Sequence, residues 1–191
     1  DVYKRQQEHY NMLPMFCEQK TTISLSSDGV VQLPPITVKR VVSKISYNLT
    51  AKPADMELKS VQLISIPRTA VVFAPDGTAA DNPDDYTDSP ETTLTGQRAA
   101  GSYYMLPNRQ GVNTSITDQK QKNADNAPAC ASWLLIRATR GSKVLAYSVY
   151  LGENNTSDFN VRANSHYTLN ITLLNDNTAD TRIASYLSLI H

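Results

Sequence analysis

The chain has 191 residues, with 18 Lys and Arg against 18 Asp and Glu, so its formal net charge is zero. This balance argues against a nucleic-acid-binding protein, which needs a basic surface that displaces counterions. Apolar residues make up 40% of the chain and charged residues 19%, and no stretch approaches the roughly 18 consecutive apolar residues of a membrane span. The composition predicts a folded, β-rich protein with one large domain or two small ones.

The two ends of the chain differ from its interior. Residues 1–6 back-translate as GAT GTG TAT AAG AGA CAG and residues 187–191 as CTG TCT CTT ATA CAC. These strings are reverse complements over their shared length and resemble the transposon end that tags sequencing libraries. The alternative interpretation of the two segments is an ordinary polar leader at the start and an apolar strand at the end. We therefore expect both segments to be adaptor-derived, as in a metagenomic fragment whose natural ends are missing, and we exclude His191 from the candidate residues.

Alternation of apolar and polar residues with a period of two dominates the interior. Residues 41–50 place Val41, Ile45, Tyr47 and Leu49 on one face and Lys44, Ser46, Asn48 and Thr50 on the other. Residues 143–151 and 166–173 alternate in the same way, and residues 131–139, which contain Trp133, are predicted to be a strand buried on both faces. Shorter candidate strands are residues 21–25, 30–33, 56–66, 69–73 and 103–106. Pro, Gly, Asn and Asp clusters separate these runs, so we predict an all-β antiparallel sandwich of about seven to nine strands.

Two long connections, residues 74–101 and 108–128, are predicted to be loops. The first contains an acidic cluster that could offer oxygen ligands to calcium: Asp76, Asp81, Asp84, Asp85, Asp88 and Glu91. Its spacing does not match an EF-hand, and Pro83 and Pro90 interrupt it. We therefore predict a solvated acidic loop, with a calcium site as the alternative.

The sequence offers no constellation for catalysis. His9 and His166 lie far apart, and the elements HExxH, CxxC and GxSxG do not occur. His166 begins an alternating run and is predicted to face solvent on a strand. Cys17 and Cys130 are compatible with one disulfide in an exported domain or with two buried thiols. We predict neither enzyme activity nor a cofactor.

Five sequence blocks follow one another in a characteristic order. They are LPM at 13–15, KRVVSKI at 39–45, LKSVQLISIP at 58–67, YYMLPNRQG at 103–111 and VYLGENNTSDFNVRANSHY at 149–167. In this order they resemble the N-terminal domain of the fimbrillin superfamily of Bacteroidales, over about residues 12–174. The final block is the most specific one. Pro107 is a departure, since the family usually has Glu at this place, and it leaves the subfamily open.

The resemblance implies a transthyretin-like sandwich over residues 7–180, followed by a linker at 181–186 to a missing second domain. Taken by themselves, the residues of the final block suggest a turn at Gly152 with a positive φ, backbone hydrogen bonds to Asp158 and Asn160, and an inward-facing Phe159. Gly111 is predicted to end a tight turn. We interpret all the motif residues as structural: Lys44, Pro67, Asn108, Gly111, Gly152, Asp158, Phe159, Asn160, Asn164 and Tyr167.

The resemblance also implies a function. Family members are exported lipoprotein precursors that become anchor, stalk or tip subunits of an outer-membrane fimbrium. They are attached to the membrane only through a lipid on the natural N-terminus, which we expect to be missing from this sequence. They assemble with other subunits by strand exchange and reach host or bacterial surface receptors. In stalk members an Arg-specific protease removes the first strand, which opens the groove that accepts a strand from the neighbouring subunit. Arg40 is the candidate for such a cut, although we favour a plain role in the strand.

The alternative function is a glycan-binding sandwich module of a surface lipoprotein. Such modules display exposed aromatic side chains for stacking against sugars. Trp133, the only Trp of the chain, lies in a continuous apolar run and is predicted to be in the core. Tyr103 and Tyr104 therefore remain as the candidate platform.

Overall fold

The computed structural model describes residues 13–17, 19, 33–77 and 79–176, and the backbone of residues 181–189. The strands are β1 (Met15–Phe16), β2 (Lys39–Arg40), β3 (Ser43–Ala51), β4 (Met56–Ile64), β5 (Ile66–Pro67), β6 (Tyr86–Thr87), β7 (Thr92–Thr93), β8 (Arg98–Met105), β9 (Asn108–Val112), β10 (Trp133–Arg140), β11 (Lys143–Tyr150), β12 (Asp158–Val161), β13 (Ser165–Leu173) and β14 (Thr181–Leu189). The helical turns in these residues are short 3-10 turns at Pro83–Asp85 and Gln119–Gln121, and none of them is long or apolar enough to span a membrane.

Two four-stranded sheets form the body of the protein. One has the strand order β11-β10-β4-β7 and the other the order β14-β13-β3-β8. Neighbouring strands are antiparallel except β13 and β3, which are parallel. This parallel pair is possible because the long segment from β4 to β12 connects its two strands. The predicted all-β sandwich is confirmed, with this parallel pair as an addition.

Apolar side chains from the inner faces of both sheets form one core. On β3 the predicted alternation holds, because Ile45, Tyr47 and Leu49 are buried while Asn48 is exposed. The same period of two appears along β11 and β13. The largest fully buried side chains are Tyr147, Phe159, Ile45, Leu49, Met56, Leu58, Leu63, Leu134, Ile136, Leu151, Ile171 and Leu173.

Strand β10 is buried on one face only, so the prediction of burial on both faces was wrong. Leu134, Ile136 and Ala138 are fully buried, whereas Trp133 and Leu135 are half-buried on the outer face. The reason is that only the inner face of this sheet is covered by the second sheet. An apolar run cannot reveal which of its two faces finds a partner.

Other expected boundaries also change. Residues 69–73 form no strand; Ala70 and Val72 instead pack on a small cluster formed by Val41, Val42 and Leu106. The run 56–66 breaks at Ser65, which has φ 60°. The two long connections are shorter than predicted, because β6, β7 and the start of β8 lie in the first and β9 in the second. The predicted strand 21–25, and 30–33 apart from Leu33, lie outside the described residues.

The lack of a side chain at Gly101 leaves space for the ring of Tyr47 in the core. The two residues lie opposite each other on β8 and β3, and a Cβ at Gly101 would lie 2.3 Å from Tyr47 Oη and 2.6 Å from Cζ. The Tyr47 ring therefore covers the glycine and reaches Tyr103 at 5.8 Å between ring centroids. An aromatic ring over a strand glycine restores the burial that the glycine itself lacks.

We predict that Gly101→Ala lowers the free energy of unfolding by about 1–3 kcal/mol, because the added methyl group overpacks this site. Urea denaturation followed by far-UV circular dichroism measures the effect. In a Tyr47→Leu background the ring is absent, so the additional cost of Gly101→Ala should fall toward zero. An equal cost in both backgrounds would mean that the clash with Tyr47 is not its cause.

Candidate functional site

Two of the sequence blocks meet at one end of the sandwich, where β9 pairs with β12. Asn108 on β9 is fully buried. Its Nδ2 donates hydrogen bonds to the carbonyl oxygen of Cys130 at 2.8 Å and to Ser132 Oγ at 2.8 Å, while its Oδ1 accepts one from Gln110 Nε2 at 3.0 Å. Asn108 thus ties β9 to the segment that leads into β10. We call β9, β12 and their flanking turns the motif cluster.

Asp158 is a buried carboxylate that organises the turn between β11 and β12. Its Oδ1 accepts hydrogen bonds from the backbone nitrogens of Glu153 and Asn160, both at 2.8 Å, and its Oδ2 accepts one from Asn160 Nδ2 at 2.8 Å. Gly152 has φ 156°, and a Cβ there would lie 1.8 Å from the carbonyl oxygen of Asp158. The turn therefore closes only because residue 152 lacks a side chain.

Asn160 continues this network across to β9. Its Oδ1 accepts hydrogen bonds from the backbone nitrogen of Gly111 at 2.9 Å and from Arg109 Nε at 3.3 Å. Its Nδ2 also donates to the carbonyl oxygen of Gly111 at 3.2 Å. Gly111 has φ 90°, a conformation that side chains rarely adopt. Asp158 and Asn160 together fix the register of the short β9–β12 pair.

The connection from β12 to β13 is tied to the start of β3. Asn164 has φ 54°; its backbone nitrogen donates to the carbonyl oxygen of Val42 at 3.1 Å, and its Oδ1 accepts from the backbone nitrogen of Arg40 at 3.1 Å. Tyr167 is buried, and its Oη accepts from the backbone nitrogen of Arg162 at 2.9 Å. The exposed Arg40 is thus held through its backbone.

Phe159 anchors the long connection 113–130. Its buried ring packs against Ile116 and Ala131 and meets the Tyr150 ring edge-on at 6.0 Å between centroids. Lys122 approaches the same ring, with Nζ 5.2 Å from its centroid, and donates to the carbonyl oxygen of Asn154 at 2.6 Å.

Burial lowers the pKa of Lys122 to about 8, and the negative charge of Asp158 opposes this shift only in part. The sequence did not identify this residue, because Lys122 belongs to a polar run typical of an exposed loop. Only the fold brings it beside Phe159.

Lys44 and Pro67 lie outside the motif cluster. Lys44 is on the outer face of β3, with its Nζ 6.0 Å from the centroid of the Tyr104 ring. Pro67 pairs with Tyr86 between β5 and β6 and lines a cavity of about 310 Å³ together with Val71 and other residues of the connection that follows β5. The structure therefore does not bring all motif residues into one site.

His166 lies beside Ser46, with 2.8 Å between Nε2 and Oγ. The two side chains are on neighbouring strands, β13 and β3, near Lys44. Burial and, to a smaller degree, the charge of Lys44 lower the pKa of His166. Among the described residues no carboxylate bonds to the imidazole, whereas a catalytic serine–histidine pair is normally oriented by such a group. We interpret the contact as a bond between strands.

The acidic residues of 76–91 are used in separate places. Asp76 Oδ1 accepts from the backbone nitrogen of Ala163 at 2.7 Å, Asp88 Oδ1 accepts from the backbone nitrogen of Ser65 at 3.0 Å, and Glu91 pairs with Arg137 at 2.7 Å. Within the described parts of the chain, no group of three His, Cys, Asp or Glu side chains could hold a metal ion.

The two cysteines are separate thiols in the structure. Cys17 is half-buried and Cys130 is buried, and burial raises the pKa of the Cys130 thiol. Cys130 Sγ lies 3.5 Å from the carbonyl oxygen of Asp81. Of the two alternatives for these residues, the structure contains the one without a disulfide.

We predict that Lys122 penalises folding below its folded-state pKa. Between about pH 8 and 10.5 the unfolded chain binds more protons at this position, so the free energy of unfolding rises with pH. Lys122→Met should therefore stabilise the protein at pH 7 by up to about 3 kcal/mol, and the gain should shrink as the pH rises through this range. Urea denaturation at a series of pH values measures it.

The exposed Lys120 gives a matched control, since Lys120→Met removes a lysine two residues away whose side chain is not buried. Its pH profile should follow that of the wild type. If the free energies of unfolding of the wild type and of Lys122→Met change in parallel with pH, the buried ammonium group is not the cause of the predicted pH dependence.

The match to a known family covers part of the chain. A family model described as a domain of unknown function, DUF4906, matches residues 103–171, which include the motif cluster. No curated protein matches the chain.

Solved structures resemble the fold of most of this chain. Two candidate cell adhesion proteins of Parabacteroides distasonis match with TM-scores of 0.55 and 0.53 at 13% and 12% identity, over 80% and 88% of this chain and 53% and 65% of theirs. The tip fimbrial protein Mfa3 of Porphyromonas gingivalis matches with a TM-score of 0.48 at 15% identity, over 88% of this chain and 60% of its own. The chain thus spans about half to two thirds of the length of these proteins.

These likenesses concern the fold, because all three identities are low. They agree with the fold that the order of the sequence blocks implied. The resemblance predicted from the sequence is confirmed at the level of the fold: the chain shares the β-sandwich of the two candidate cell adhesion proteins of Parabacteroides distasonis.

Proposed function

We propose that the chain is a structural subunit of a bacterial surface fimbrium that joins other subunits by donor-strand augmentation and contributes to adhesion. The fold shared with candidate cell adhesion proteins supports a role at the cell surface. An outer-membrane location, a lipid anchor outside this chain, contacts with host or bacterial surface receptors and a role as anchor, stalk or tip belong to the same proposal. So does the division into a domain at 7–180 and a linker at 181–186.

The observation that carries this proposal is the position of β14. Its backbone pairs with β13 from Thr181 opposite Leu173 to Leu189 opposite Ser165, and in the described part of the chain it has no partner on its other side. Tyr167, Leu169 and Ile171 of β13 are buried in the core. Loss of β14 would leave β13 with one unpaired edge, which a strand from a neighbouring subunit could cover.

The predicted adaptor-derived ends bear on this edge. Residues 187–189, expected to be foreign to the natural protein, continue the β14 ladder beside Tyr167, His166 and Ser165. If that expectation holds, the edge of β13 accepts a strand through backbone hydrogen bonds without requiring a native sequence. The expected linker at 181–186 also lies in β14. The same residues therefore cannot at once complete this sheet and lead away to a second domain.

Arg40 is the candidate processing site within this proposal. It is exposed, and β2 pairs with β1 there. Removing the segment up to Arg40 would uncover the small cluster of Val41, Val42 and Leu106, on which Phe16 packs. We still favour the plain strand interpretation of Arg40, because its backbone is held by Asn164.

We predict that a variant ending at residue 180 binds a synthetic peptide of residues 181–189, because the peptide can restore the ladder on β13. Fluorescence anisotropy of a labelled peptide measures the affinity. The full chain should bind the same peptide at least about tenfold more weakly, since its own β14 occupies the edge.

A peptide with Pro at positions 184 and 186 is the matched control, because it lacks two backbone donors and should bind weakly. Circular dichroism shows whether the shortened chain is folded. A folded variant that binds neither peptide, or both equally, would contradict strand exchange at this edge.

One observation favours the alternative, a glycan-binding module. Trp133 lies half-buried on the outer face of its sheet, where its ring is 5.9 Å from that of Tyr150. Of the other candidates, Tyr103 Oη bonds to the carbonyl oxygen of Val61 at 3.0 Å, and Tyr104 lies beside Lys44. Glycan-array binding by the full chain that Trp133→Ala abolishes, without strand exchange, would favour this second function.

A further inference from the structure

Strand β11 forms a regular outer edge of its sheet. It pairs with β10 without interruption, from Trp133 opposite Tyr150 to Arg140 opposite Lys143. On its other side no described strand pairs with it. Val144 is 77% exposed, and Ala146 and Ser148 are also exposed, so none of the described segments covers this edge at these positions.

The alternation of hydrogen-bonded residues between β10 and β11 shows which backbone groups of β11 face outward. Leu151 donates its backbone N–H to the carbonyl oxygen of Ser132 at 2.9 Å, on the same register as the rest of the pair. In an antiparallel pair bonded residues alternate, so the odd-numbered positions of β11 bond to β10. The N–H and C=O groups of Val144, Ala146 and Ser148 therefore point away from the sheet.

This edge lacks the features that usually prevent strand pairing. Such features are prolines, bulges, very short strands and central charges. β11 has eight residues without a proline, and its one charged residue, Lys143, lies at the end, where Nζ is 2.5 Å from Asp176 Oδ2. In contrast, the opposite edge of this sheet, β7, has two residues.

We propose that β11 pairs antiparallel with β11 of a second copy of the chain, about a two-fold axis at Tyr147. In this register, Ala146 lies opposite Ser148 of the partner subunit, and Val144 lies opposite Tyr150 of the partner subunit. On the core side, Leu145 lies opposite Val149 of the partner subunit. The outward backbone groups of the two strands then meet, and the two sheets become one.

Charge and size favour a second copy as the occupant. Residues 144–150 of β11 are all apolar or small, so every cross-strand pair between Val144 and Tyr150 in this register joins residues of these kinds. Lys143 of one copy and Lys143 of the partner subunit lie at opposite ends of the paired segment, about 27 Å apart at the rise of an antiparallel strand. No like charges meet, so charge repulsion does not oppose the pairing of the strand with itself.

This pairing is separate from the proposed strand exchange, because it uses the sheet that does not contain β14. Both can occur in one assembly, and either can fail alone. A monomeric chain that still exchanges β14 would overturn only the pairing through β11. A dimer without strand exchange would overturn only the proposed route of subunit assembly.

Sedimentation velocity of the full chain over a range of concentrations tests the proposal. Ala146→Lys should weaken dimerisation at least about tenfold, because lysines from the two copies then lie only about 7 Å apart along the ladder. Ala100→Lys, which adds a lysine at an exposed position of the edge strand β8, should dimerise like the wild type. Equal weakening by both variants would overturn the proposal.

Mixing variants tests the register. Ser148→Glu in one copy places a carboxylate opposite the lysine that Ala146→Lys introduces in the other copy. A mixture of the two variants should therefore regain the dimer that the Ala146→Lys variant alone lacks. Hydrogen exchange should show that the amides of Val144, Ala146 and Ser148 become protected in the wild-type dimer. A wild-type chain that stays monomeric at every concentration would indicate a different occupant and overturn the pairing of copies.

Discussion

The buried carboxylate of Asp158 holds one end of the sandwich together. It is 6% exposed, and three N–H groups satisfy it, so its burial is compensated by charge-assisted hydrogen bonds. Those bonds hold the Gly152 turn and orient Asn160, which in turn holds Gly111. Without them, the Gly152 turn and the contacts of Asn160 with Gly111 would lose the acceptor that orients them.

The motif residues that suggested a family thus build a scaffold. Asn108, Asp158, Asn160, Asn164 and Tyr167 direct their polar groups to backbone atoms of neighbouring segments. Such side chains satisfy backbone groups that a sandwich leaves unpaired where its strands end. A structural role for this set agrees with the proposed function in subunit association, for which the edges of the sheets matter more than a pocket.

The two sheets offer edges of different kinds. The β13 edge is covered by β14, a strand that pairs on one side only in the described residues, whereas the outer side of β11 has no partner strand among those residues. Backbone groups at a sheet edge bind any strand of suitable shape, and side chains then select among the candidates. In the proposed assembly, the first edge would extend a filament and the second would associate laterally, without an additional binding pocket.

Local sequence was enough to locate the strands that alternate, such as Ile45, Tyr47 and Leu49 of β3, because a period of two records burial on one face directly. The order of the motif blocks was equally visible there. In contrast, the outward position of Trp133, the burial of Lys122 and the parallel pairing of β13 with β3 emerged only from the folded arrangement. These features depend on which distant segment covers a face or an edge, and local periodicity carries no information about that partner.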